Sequence, residues 1–104
     1  MKIPESFNCA GFTIKVKIVD TIDDNKFGDC CVVRNEIRIA RYLFDVDNEK
    51  IKLTDDQMFN TFLHELVHMW QFYHNNEYSE TEAQVFANFI QEFLKELSLY
   101  HPQK

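Results

Sequence analysis

The sequence predicts an α+β fold, a small antiparallel sheet followed by two helices. Three observations predict it. The first half alternates apolar and polar residues in "GFTIKVKIVDTI". The second half holds two runs of apolar residues at helical spacing, and each run opens on a capping-box pattern.

In the alternating stretch, Phe12, Ile14, Val16 and Ile18 share one face and Thr13, Lys15 and Lys17 the other, the period-two pattern of a half-buried strand. "DDNKFGD" follows as a turn-rich stretch around Gly28. "CCVVRNEIRIA" supplies one or two further strands with a bend at Arg34-Asn35, and "DVDNEK" reads as a polar loop. Thr54 with Gln57 then forms a capping box, and Asp55 and Asp56 suit the positive end of the helix dipole. Phe59, Phe62, Leu63, Leu66, Trp70 and Tyr73 make the apolar stripe of this first helix, which Asn75-Asn76 ends. A second box, Ser79 with Glu82, opens a helix whose stripe is Ala83, Phe86, Ala87, Ile90, Leu94 and Leu97, stopped by Pro102.

Composition narrows the function. With 104 residues, 45% of them hydrophobic, the chain suffices for one compact domain, residues 1–104. The net charge is −6, and the basic residues form no run, which disfavours nucleic acid and anionic membrane as partners. No apolar stretch is long enough to cross a bilayer, and "MKIPESFNCAGF" lacks the apolar region of a secretory signal, so the expected location is cytoplasmic. Cys9, Cys30 and Cys31 make a poor disulfide framework and are expected to be reduced, small strand hydrophobes.

The chemistry-bearing stretch is "HELVH", residues 64 to 68. Imidazoles at i and i+4 project from one helix face, close enough to hold one tetrahedral zinc. His64 and His68 lie nearly opposite the apolar stripe, on a face shared with Gln57, Thr61 and Gln71. Glu65 turns aside, where its carboxylate can take the proton of a water that zinc has acidified. A third protein ligand is needed, and the second helix brings carboxylates towards the histidine face. Glu77, Glu80 and Glu82 compete. Helical angle barely separates Glu80 from Glu82; the capping box engages the Glu82 carboxylate and favours Glu80. His74 falls off this face, beside the C-terminal end of the dipole.

"HELVH" together with "ETEAQVFA", residues 80 to 87, resembles the gluzincin-type metallopeptidases, in particular the ImmA/IrrE-type proteins and small single-domain gluzincins of phage and mobile elements. The resemblance implies a zinc peptidase with Glu80 as third ligand, Glu65 as general base, and Gln84 orienting a zinc-bound imidazole. It also implies that "NEIRIA" is an edge strand along which an extended peptide or protein substrate pairs. An oxyanion-stabilising residue is expected downstream, with Tyr78, Tyr100 and His101 as candidates. The short connection from His68 to Glu80 leaves little room for a substrate-binding loop. The alternative reading is therefore a zinc-binding interaction module of the same fold with weak or no turnover. A metal-free structural domain is a third reading. The tail "SLYHPQK" is a segment suited to entering a neighbouring chain's cleft.

Overall fold

A computed structural model describes residues 2–74 and 77–100, the last two by backbone alone. It is α+β: six short strands followed by two helices. The strands are β1 (Ser6–Cys9), β2 (Phe12–Val19), β3 (Gly28–Cys31), β4 (Glu36–Ala40), β5 (Tyr42–Phe44) and β6 (Lys50–Lys52). The helices are α1 (Asp55–His74) and α2 (Glu80–Tyr100). The expected helix stop at Asn75-Asn76, the tail from His101 and the side chain of Tyr100 lie outside the described residues.

The main sheet runs β1-β2-β4-β3 and is mixed, which corrects the antiparallel expectation. β1 and β2 form a hairpin whose two-residue turn, Ala10-Gly11, has positive φ at both positions, the twist that tight hairpins require. β4 then pairs parallel to β2 and antiparallel to β3. The bend at Arg34-Asn35 is there: Val32–Arg34 make a short 3-10 turn, and Asn35, left-handed at φ 50°, donates its N–H to the Val32 carbonyl at 3.1 Å. β5 and β6 pair as a separate two-stranded ribbon around "DVDNEK".

Alternation gives the sheet one core face. Ile14 and Val16 of β2 and Ile37 and Ile39 of β4 are buried, while Phe12 and Ile18 at the ends of β2 are partly exposed. On the other face Lys17 pairs with Glu36 at 3.1 Å and Arg38 with Asp29, solvated pairs that contribute little stability. Cys9 and Cys31 are exposed rather than buried, and only Cys30 packs against the core.

Phe59, Phe62, Leu63 and Met69 of α1 cover the sheet. Full burial of such side chains contributes about 1.5–3 kcal/mol each. The first capping box forms in both directions: Gln57 N–H donates to Thr54 Oγ1 at 3.1 Å, and Thr54 N–H to Gln57 Oε1 at 2.8 Å. α2 lies against α1 through Ala83 and Ala87, both fully buried, whose small size permits close approach. Three stripe positions differ from expectation, because Trp70, Phe86 and Leu97 are substantially exposed. No helix among the described residues is long and apolar enough to cross a membrane.

Gly28 fixes the spacing between β3 and α1. A Cβ there would lie 2.5 Å from Thr61 Cγ2 and 2.8 Å from the Arg38 carbonyl oxygen. Gly28→Ala is therefore expected to destabilise the fold by about 1–3 kcal/mol, the usual cost of overpacking, read as a lower urea midpoint at unchanged slope. An unchanged midpoint would show that β3 does not seat closely on α1.

Candidate metal centre

The site is built on the side of α1 that faces β3 and α2. His64 and His68 are one turn apart, with ring centroids at 4.8 Å and Nε2 atoms 3.1 Å from each other. Glu80 is the first residue of α2. Its Oε1 stands 3.3 Å from His64 Nε2 and in direct contact with His68 Nε2. Among the described residues, these three form the one group of His, Cys and carboxylate side chains close enough to hold a metal ion, with donor atoms within 4.8 Å of one another.

The far side of each ring is anchored. His68 Nδ1 lies 2.9 Å from Gln71 Oε1, and Gln71 is almost fully buried at 1% exposure. The Gln71 amide has only one workable orientation. Its Nε2 donates to the Ser79 carbonyl at 3.0 Å and to Glu82 Oε1 at 2.8 Å, both acceptors only, and its Oε1 receives the Ser79 N–H at 3.3 Å. His68 must therefore carry a proton on Nδ1, and a neutral ring then presents a lone pair at Nε2. His64 Nδ1 meets Gln84 Oε1 at 2.9 Å in the same manner. Acceptors on the outer nitrogen of metal-binding histidines are the usual means of fixing ring orientation and tautomer.

This donor set fits zinc. Ligand bonds of 2.0–2.2 Å at tetrahedral angles put ligand atoms about 3.3 Å apart. Two of the three separations, 3.1 and 3.3 Å, match that edge length, whereas Glu80 Oε1 and His68 Nε2, in direct contact, stand closer than it. Two lone pairs and a carboxylate facing one point also repel each other unless a cation or proton lies between them.

Glu82 is turned away from the cluster. Ser79 Oγ caps Glu82 N–H at 3.1 Å as expected, but the Glu82 carboxylate serves Gln71 instead of closing the box. Glu65 is buried on the cleft side of α1 and is outside the ligand group. Burial raises its pKa above the ordinary carboxylate value, against a smaller downward pull from His64, His68 and a hydrogen bond from Cys30. The Cys30 thiol is pushed up to about 12 by burial and by Glu65, so it stays protonated and available as a donor. Tyr78 stacks on His68, centroids 4.4 Å apart and rings nearly parallel, and donates its hydroxyl to Glu80 Oε1 at 2.7 Å. That bond holds the Glu80 carboxyl below its usual range and raises the Tyr78 phenol to about 12. His74 is exposed at the end of α1, near Trp70.

His64, Glu65, His68 and Cys30 line a cleft of about 880 Å³ that runs from Tyr78 and Glu80 past Gly28 and Thr61 to Asp56 and Lys95. The strand beside it corrects the expectation for "NEIRIA". β4 is paired on both sides and has no free edge; β3 ends the sheet, and its Gly28, Asp29 and Cys30 line the cleft. On sequence alone Gln71, Cys30 and Gly28 have no part in the site, Cys30 being read as a strand hydrophobe and Gly28 as a turn residue. The available signal for Gln71 was its place three residues after His68, on the histidine face. Tyr100 and His101, the other oxyanion candidates, lie outside the described side chains.

Comparison with family models, curated proteins and solved structures finds no match for this chain.

The raised pKa of Glu65 has a stability consequence with a definite sign. A carboxyl whose folded-state pKa exceeds its unfolded value stabilises the fold while protonated and loses that contribution as pH rises through the folded value. Metal-free Glu65→Gln is thus expected to be more stable than wild type at neutral pH. The difference should vanish below the ordinary carboxylate range, as read by urea midpoints across pH. A pH-independent difference would refute the burial account of Glu65.

Proposed function

We propose that the chain is a zinc-dependent peptidase that cleaves extended peptide or protein segments. The observation that carries this reading is the meeting of His64 Nε2, His68 Nε2 and Glu80 Oε1 at one point, with Glu65 buried in the same cleft. His64, His68 and Glu80 would hold the metal. When bound, zinc supplies Lewis acidity, bringing the pKa of a water towards neutrality and polarising the scissile carbonyl.

The remaining chemistry belongs to the chain. Glu65 accepts a proton from the attacking water and passes it to the departing amine nitrogen. Its raised pKa suits both halves of that transfer, because a base poised nearer neutrality also serves as the acid. Cys30 donates to Glu65 and keeps the carboxylate directed into the cleft. Gln71 and Gln84 hold the imidazoles so that both Nε2 atoms stay aimed at the metal position. The open edge of β3 offers backbone N–H and C=O groups to an extended substrate, which would pair as an added strand beside Glu65. The likeness of "HELVH" and "ETEAQVFA" to gluzincins supports the same roles.

A second reading, a metal-holding interaction module without turnover, is favoured by one observation. The Tyr78 hydroxyl, the described candidate for an oxyanion donor, is engaged by Glu80.

The test joins metal content to hydrolysis. Purified chain is expected to bind one equivalent of zinc, and His64→Ala and His68→Ala each to lose stoichiometric binding. Glu65→Gln is expected to keep its zinc while hydrolysis of an unfolded protein falls by about 10²–10⁴-fold, the range for a lost general base. Zinc retained in both histidine variants would refute the ligand assignment. Zinc bound by a wild type that cleaves nothing would establish the second reading.

A further inference from the structure

His64 is the more exposed of the two imidazoles, and its Nδ1 rests on Gln84, an amide on the exposed side of α2. An amide can turn over and offer N–H in place of oxygen. What sets the direction of Gln84 is a chain of side-chain amides between the two helices, and it starts at a group that cannot turn. Gln91, buried on α2, donates Nε2–H to the backbone carbonyl of Asp56 at 2.9 Å. A carbonyl only accepts, so Gln91 Oε1 must point the other way, where it accepts Asn60 Nδ2–H at 2.8 Å. With its nitrogen thus assigned, Asn60 offers Oδ1 to Gln84 Nε2 at 3.1 Å. The second N–H of Gln84 is taken by Asn88 Oδ1 at 2.9 Å, an oxygen that also receives Asn60 Nδ2–H at 3.0 Å. Both donors of Gln84 are therefore engaged away from the histidine, and only Oε1 is left to face Nδ1.

We propose that Asn60 and Gln91 are positioning residues for the metal centre. Through Gln84 they form an amide relay, anchored on the Asp56 carbonyl, that fixes His64 with its proton on Nδ1 and its lone pair on Nε2. The inference rests on the metal-centre reading and deepens it, since neither residue touches the ligand cluster. Every link is satisfied, and no buried side-chain nitrogen or oxygen among the described residues lacks a partner. Reversing any one of Gln91, Asn60 or Gln84 would place N–H against N–H or oxygen against oxygen at its contacts with the neighbouring amides, so each direction is held by the next. His68 is fixed separately by Gln71, and the relay acts on His64 alone.

A double-mutant cycle on zinc affinity, measured by chelator competition, separates positioning from general stability. Gln84→Leu is expected to weaken zinc binding about 10–100-fold, the usual effect of losing such a partner. Asn60→Leu is expected to weaken it about two- to tenfold, the worth of one neutral hydrogen bond, and to have no further effect in the Gln84→Leu background. If Asn60→Leu does not fold, Gln91→Met, which removes the acceptor for Asn60, runs the same cycle. An Asn60→Leu effect equal in both backgrounds, or absent in wild type, overturns the relay. A wild-type chain that binds no zinc overturns the metal reading instead. The relay is then decided by long-range ¹⁵N correlations on metal-free protein above the imidazole range. A His64 proton on Nδ1 that becomes mixed in Gln84→Leu supports it; a proton on Nε2 in wild type overturns it.

Discussion

The imidazole of His68 and the carboxylate of Glu65 can sit inside a small domain only if their polar atoms have partners, because an unmade hydrogen bond in a buried position costs about 1–3 kcal/mol. That requirement governs how the helices meet. α1 is buried on its apolar side by the sheet and also on its polar side, where Thr61, Glu65, His68 and Gln71 are all covered. The interface with α2 is consequently of two kinds. Ala83 and Ala87 close it sterically, and the amides of Asn60, Gln71, Gln84 and Gln91 close it by hydrogen bonding. The small residues bring the backbones together; the amides decide in which register they stop.

The same requirement gives the site its electrostatic character. Glu80 and Glu65 lie in one cleft, yet their environments push them apart. The Tyr78 hydroxyl and the two histidines keep Glu80 below the usual range, suited to remaining an anion at the proposed metal position. Burial lifts Glu65, suited to exchanging a proton. Paired carboxylates whose surroundings separate their pKa values are a recurrent way of dividing ligand from base. Gly28 contributes by absence, letting β3 approach Thr61 and Glu65 with its backbone where a side chain would hold it off.

Much of this was legible in the sequence. Helical spacing placed His64 and His68 on one face; Glu80 was separated from Glu82 by the expected capping box and by the gluzincin resemblance, and the carboxylate half of that box does not form, since Glu82 serves Gln71. The first capping box formed as read; the second was half served by Gln71, a residue eight positions before Ser79. What escaped the sequence is non-local. Alternation shows that β4 is a strand with one buried face, but it cannot say that β2 pairs with it in parallel and so leaves the free edge to β3. β1 hid behind a turn that uses Ala10 at positive φ, a residue that carries no turn signal. β5 and β6 are three-residue strands flanking a loop that was itself recognised. The amide relay joins residues 60, 84 and 91 across two helices, and no periodic pattern marks such a contact.

The central claim is that His64, His68 and Glu80 converge on one zinc ion, and anomalous diffraction from crystals grown with zinc tests it most directly. Data collected on either side of the zinc absorption edge should give a single strong peak about 2.0–2.2 Å from His64 Nε2, His68 Nε2 and a Glu80 carboxylate oxygen. A peak elsewhere on the chain, coordination through Nδ1 of either histidine, or Glu82 in place of Glu80 would contradict the account.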